Sequence, residues 1–180
     1  MKKAIFLILG ALAITVVLAA AVIFLVPMTT DRIEYSSSVE IDAPRSKVWA
    51  AFNNNENTVK WIEGLESIDL ISGEEGKPGS KYRLIVANEG DPVEMIETVT
   101  EVKEEELFAF TLDAEPLIDH VRVTFEDKGS KTVFTQHDSI EAKNFVWKAL
   151  FYWLQSTFQE STRGHLVRFK NLVEDGQKGR

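Results

Sequence analysis

Cysteine is absent from the 180-residue chain, which excludes disulfides, thiolate nucleophiles and cysteine-ligated zinc, and leaves the redox compartment open. Histidine is scarce: His120, His137 and His165 are all there is. They form neither a Ser-His-Asp arrangement nor a metal-ligand spacing, and no cofactor signature accompanies them. Positive charge is also in deficit. The formal net charge is −8, and Lys2 and Lys3 precede an apolar segment, so the remainder is more acidic still. Such a surface lacks the basic footprint that phosphate binding needs, which excludes nucleic acid as a partner. There is no internal repeat and no low-complexity run.

One long hydrophobic run is present. From Ala4 to Val26 the chain reads AIFLILGALAITVVLAAAVIFLV, with no charge and Thr15 as its one polar residue. At about 1.5 Å rise per residue, a helix of this length matches a hydrocarbon core about 30 Å thick. A cleaved signal peptide is the competing reading, with Ala19, Ala20 and Ala21 imitating a cleavage site. Cleavage there would leave Val22 to Val26 as an apolar new terminus, which favours an uncleaved anchor. Lys2 and Lys3 place the N-terminus in the cytoplasm and the rest of a single-pass membrane protein on the far side. The chain divides into an anchor with a short linker over residues 1–30 and one domain of ordinary size over residues 31–180.

Within that domain Tyr35 to Ile41 alternates as a strand, with Val39 and Ile41 on one face. The Asp42-Ala43-Pro44 turn ends it. Ser46 is placed as the N-cap of a short helix carrying Val48, Trp49 and Phe52. Asn53 to Asn57 breaks that helix, and a second short piece carries Val59, Trp61 and Ile62. Strand character then recurs over Leu65 to Ser72, Ser80 to Ala87, Val93 to Val102, Leu107 to Leu112, Ile118 to Glu126 and Thr132 to Ile140. The short separators predict an antiparallel meander. Asn144 to Glu174 is a long amphipathic helix with Trp147, Phe151, Leu154, Phe158, His165, Phe169 and Leu172 on its stripe, Asn144 as N-cap and Gly176 near its stop.

Several motifs make this order specific. Val39-x-Ile41-Asp42-Ala43-Pro44-x-x-Lys47-Val48-Trp49-x-x-Phe52, then Trp61, then Gly76-x-Pro78-Gly79-Ser80-x-Tyr82, together resemble the opening of the START/Bet v 1-like (SRPBCC, polyketide cyclase/dehydrase-like) superfamily over about Tyr35 to Tyr82. The resemblance implies an α+β helix-grip fold, in which a curved antiparallel sheet grips a long C-terminal helix around a hydrophobic cavity. It implies a bound apolar molecule, since members of that superfamily bind lipids, sterols, polyketides or plant hormones; for this chain a lipid, isoprenoid or polyketide-like molecule is expected. Some members of that superfamily are cyclases and some are chaperone activators. A Rieske-oxygenase reading is set aside, since the cysteine half of its ligand set is missing.

Tyr82, Leu84 and Val86 share one strand face, and Val121, Val123 and Phe125 share another. With Trp61, Phe151 and Phe158 they are the candidate ligand-binding wall, the alternative being a solid core. His120 is out of phase and faces solvent. His165 lies on or beside the helix stripe, and His137 stands in Gln136-His137-Asp138, where one side or the other faces inward, so both are candidate polar contacts. His137 and Glu97 are the weak catalytic candidates. Glu94 and Glu97 with Arg83 form either a polar floor or solvated cross-strand ion pairs. Phe145, Trp147, Phe151, Tyr152 and Trp153 point in most directions around the long helix, and one face cannot bury them all. Trp147 and Trp153 therefore either touch the membrane or lie under the hairpin at Pro116 and Leu117. The leading expectation is membrane-anchored binding or transfer of a hydrophobic small molecule. A cyclase or dehydratase in the same cavity and a protein-interaction module are the alternatives.

Overall fold

The computed structural model describes residues 2–25, 28, 30–87 and 90–178. Helix α1 covers Lys2–Leu25. Among the described residues no helix is long and apolar enough to cross a membrane. The run expected to span ends at Val26, which lies outside the described residues, as do several side chains within α1.

The domain follows in the order β1 (Ile33–Ile41), α2 (Arg45–Phe52), α3 (Asn55–Trp61), β2 (Leu65–Ser72), β3 (Lys81–Val86), β4 (Val93–Lys103), β5 (Leu107–Ala114), β6 (Leu117–Asp127), β7 (Thr132–Ala142) and α4 (Phe145–Lys178). The seven strands form one sheet in the order β1-β7-β6-β5-β4-β3-β2. Each neighbouring pair is antiparallel. This is the α+β helix-grip architecture, with α4 held against the sheet.

Two local expectations are corrected. Pro44, not Ser46, occupies the N-cap of α2, with no side-chain cap bond; its fixed φ lets the helix begin directly after the turn. Gly176 does not stop α4, which continues to Lys178. At the other end Asn144 caps as expected, its Oδ1 accepting from Trp147 N at 3.2 Å. Asn54 likewise starts α3 by accepting from Glu56 N at 2.9 Å. Gly73, at φ +87°, is required where the β2–β3 turn closes, because a Cβ there would meet Ser80 Cα at 2.7 Å.

Strand β1 lies at an edge of the sheet, and its outward carbonyls need donors. Helix α4 supplies them: Gln155 Nε2 donates to Glu34 O at 3.1 Å, Gln159 Nε2 to Ser36 O at 3.0 Å and Lys170 Nζ to Glu40 O at 2.6 Å. These bonds fasten the helix along the edge while its apolar stripe faces inward. Phe134, fully buried, sits 4.8 Å by ring centroid from Phe169, 5.1 Å from Phe125 and 5.7 Å from Phe52. That cluster fills one end of the space between helix and sheet. Toward the other end a smaller cluster of Ile33, Tyr35, Ile140 and Phe151 closes the domain.

Candidate functional site

Between the two clusters α4 touches the sheet along β1 but does not fill the space over the central strands. A cavity of ≈280 Å³ remains, walled by Leu84 and Val86 of β3, Met95 of β4, Phe110 and Leu112 of β5, Leu117, Val121 and Val123 of β6, and Phe158 of α4. Its volume lies near the lower end of what small-molecule sites use, roughly 300–1,000 Å³. Such a space favours a binding cavity over the solid-core alternative.

Seven of the residues singled out from the sequence line this cavity: Trp61, Leu84, Val86, Val121, Val123, Phe158 and His165. The other expected positions are placed elsewhere. Tyr82 is buried beside the cavity in a smaller pocket of ≈70 Å³ shared with Trp61, Glu97 and Phe108. Its hydroxyl is taken up by the β2–β3 turn, accepting from Gly76 N at 2.7 Å. Phe125 belongs to the filled aromatic end, 5.1 Å from Trp49. Phe151 packs in the small cluster at the far end. His137 faces away from the cavity: Gln136 and Asp138 on either side of it point in, and strand alternation turns the imidazole to the opposite face. There its Nδ1 lies 2.8 Å from Ser36 Oγ. His120 is half-buried on that same outer face.

Glu94 and Glu97 do not share a floor. Three residues apart on a strand, they face opposite ways. Glu94 pairs with Arg83 outside, at 3.7 Å. Glu97 is buried in the smaller pocket, and burial pushes its carboxyl up to about 7. His165 is held below the usual imidazole range by burial first and by Arg168 second, with Glu63 opposing. Arg168 is itself tied to Glu63 at 3.0 Å.

The most polar part of the cavity was not singled out from the sequence. Asp119 of β6 and Asp138 of β7 both line it, with exposures of 9 % and 1 %. While both acids are ionised, Asp119 Oδ1 and Asp138 Oδ2 have no donor among the described residues. A proton held by Asp119 makes the contact between them a hydrogen bond. Burial raises both carboxyls, and the Asp138 charge raises Asp119 further, because two like charges this close cannot both be carried in an apolar enclosure. Gln136 Nε2 donates to Asp138 Oδ1 at 2.7 Å, which favours the charge on Asp138. Tyr35 joins the group from β1. Its hydroxyl lies 3.4 Å from Thr162 Oγ1 of α4, and burial together with the Asp138 charge raises its proton affinity. Trp61 Nε1 is also buried without a partner among the described residues.

The signal for the acid pair was present in the pattern. Asp119 is in phase with Leu117, Val121, Val123 and Phe125, and Asp138 with Phe134 and Ile140. A charged residue on an apolar strand face is the departure that marks a site.

The comparisons with known proteins bear on the family and the fold. The pattern of the family described as "Polyketide cyclase / dehydrase and lipid transport" matches residues 32–174. The chain belongs to that family. No curated protein matches it. Among solved structures it is similar to the Zhui aromatase/cyclase from a Streptomyces species, at 11% identity and TM-score 0.69, covering 83% of this chain and 96% of that one. It is similar to a conserved protein from Geobacillus kaustophilus, at 17% identity and TM-score 0.65, covering 78% and 94%. Norcoclaurine synthase from Thalictrum flavum, solved with dopamine and hydroxybenzaldehyde, matches at 13% identity and TM-score 0.59, covering 82% and 89%. At such identities the likeness establishes the SRPBCC fold alone, and activity has to be argued from the site.

Proposed function

We propose that this family member binds an apolar small molecule, of the lipid, isoprenoid or polyketide-like kind, in the cavity between the sheet and α4. The observation that carries the reading is the cavity itself: ≈280 Å³ of space with mostly apolar walls and a polar group that includes Asp119, Asp138, Tyr35 and Gln136. Burial of apolar ligand area at roughly 25 cal/mol per Å² drives binding, and the polar group fixes orientation. The family's lipid-transport description is consistent with it. Native mass spectrometry of the purified full-length protein, followed by solvent extraction, tests it. One stoichiometric apolar molecule per chain is the expected result. A bare protein mass with no uptake from a panel of lipids overturns the reading and favours the protein-interaction alternative.

A cyclase or dehydratase acting in the same cavity is favoured by one observation. Asp119 and Asp138 converge there, both carboxyls raised by burial and Asp119 further by the Asp138 charge, and such a pair can serve as a general acid beside a general base. Enzymatic turnover of the extracted molecule, lost in Asp119→Asn, distinguishes catalysis from carriage.

We further propose that the domain works at a membrane surface, held by the segment Ala4 to Val26 with the N-terminus in the cytoplasm. Counted over the described residues the helix falls short of a span, while the whole apolar run is long enough at about 1.5 Å per residue. Asp31, just after that run, pairs with Lys148 near the start of α4 at 3.2 Å. Beside Lys148, Phe145, Trp147, Leu150 and Trp153 are exposed. The aromatic end of α4 thus adjoins the residues that follow the apolar run, and Trp side chains favour the membrane interface.

A further inference from the structure

The polar end of the cavity is acidic, and among the described residues no lysine or arginine faces it. Asp119 and Asp138 are both more than nine-tenths buried. Asp138 Oδ1 is satisfied by Gln136, while Asp119 Oδ1 and Asp138 Oδ2 have no donor among the described residues other than a proton held between the two acids. One proton shared by the pair leaves one negative charge, since neighbouring carboxyls in an apolar site release only one proton readily. Among the described residues no lysine or arginine lines the cavity, its one basic side chain is His165, whose protonation is disfavoured by burial, and the His137 imidazole that eases the Asp138 charge lies on the opposite face of the sheet. Glu63, also at the wall, is already neutralised by Arg168. A buried charge without a partner is costly, and native structures supply one or mark a binding site by its absence.

The remaining lining complements a cation. Tyr35, Phe52, Trp61, Phe110 and Phe158 border the same space, and aromatic rings attract a cation to their faces. An anionic headgroup meets the opposite situation: a carboxylate or phosphate brought to this end would face the Asp138 charge with no cation in the wall to offset it. A neutral alcohol can donate a hydrogen bond but leaves the charge uncompensated.

We propose that the ligand of this cavity is an apolar molecule carrying a basic nitrogen, bound as the ammonium against the carboxyl groups of Asp119 and Asp138. The assignment rests on the cavity-binding reading above and narrows it to one ligand class. It makes fatty acids and phospholipid phosphates poor ligands.

Isothermal titration calorimetry on the purified full-length protein with phenylbutylamine, phenylbutanol and phenylbutanoate tests it, with detergent-only titrations subtracted. The three probes share a hydrocarbon body and differ in charge. The amine is expected to bind about tenfold tighter than the alcohol, as a hydrogen bond to a charged group outweighs a neutral one, and the carboxylate is expected to bind most weakly. In Asp138→Asn, checked for folding by circular dichroism, the amine's advantage over the alcohol is expected to vanish. Should that variant not fold, Asp119→Asn serves, and the ranking of the three probes on the unaltered protein stands alone. An alcohol that binds as tightly as the amine, or a carboxylate that binds best, overturns the ligand class and leaves the cavity reading intact. Binding of none of the three overturns both.

Discussion

The hydroxyl of Tyr35 on the first strand lies 3.4 Å from Thr162 Oγ1 on the last helix, in a buried contact beside the acid pair. The contact joins two ends of the domain and closes one side of the cavity. Tyr35→Phe keeps the ring and removes the bond, so it is expected to cost about 1 kcal/mol, measured as a lower urea midpoint at unchanged slope. Thr162→Val should cost a similar amount, and the double variant no more than about the larger single effect, because both remove one interaction. Fully additive losses would show that the two hydroxyls are satisfied separately.

Glu97 makes stability depend on pH. Its folded carboxyl is pushed up to about 7 by burial, against an ordinary value of about 4.3 in the unfolded chain. Between those values the native state binds more protons than the unfolded one, so stability falls as pH rises, and the loss is complete above the folded value. Glu75 and Tyr82 are the other ionisable side chains on its pocket. Glu97→Gln is expected to remove this slope, stabilising the protein by about 3 kcal/mol at pH 8 with little change at pH 4. Chemical denaturation at both pH values checks it, and an equal effect at the two would assign the gain to something other than the proton.

The fold was legible because its signals are periodic and local. Val39, Ile41, Val48, Trp49 and Phe52 occur where strand, turn and helix need them, and the structure draws β2 over the expected Leu65 to Ser72. The cavity was harder to read. Alternation shows which residues face inward but not where facing layers meet, so Phe125 in the filled end and Val123 in the cavity wall look alike in sequence. The acid pair was missed for a chemical reason. In Gln136-His137-Asp138 the imidazole is the conspicuous acid-base group, whereas the phase set by Phe134 and Ile140 turns Asp138 inward and His137 outward. Asp119 lies opposite Ile140 in the β6–β7 ladder, a juxtaposition that no single segment displays.

The filled and unfilled parts of the domain should respond differently to truncation. Phe134 is fully buried against three other aromatic rings, so Phe134→Ala is expected to cost about 3–5 kcal/mol. Phe158 already borders the cavity, and Phe158→Ala enlarges existing space while losing fewer contacts, for about half that cost or less. Equilibrium unfolding of the two variants gives the comparison. Equal costs would indicate that the cavity wall around Phe158 is as tightly packed as the aromatic cluster.

The aromatic end of α4 yields the last prediction. Trp147 and Trp153 are 38% and 51% exposed, beside Lys148, which Asp31 holds at 3.2 Å. Exposed rings of this kind reach the headgroup region when the domain is held near a bilayer. With the full-length protein in vesicles containing lipids brominated near the headgroup, part of the tryptophan fluorescence is expected to be quenched. The quenched fraction should fall in the Trp147→Phe, Trp153→Phe double variant, which retains Trp49 and Trp61. Trp61 is buried and Trp49 packs against Phe108 and Phe125, so neither should contribute to quenching. An undiminished quenched fraction in the double variant would remove this end of the helix from the membrane and leave its exposed rings available for a protein partner.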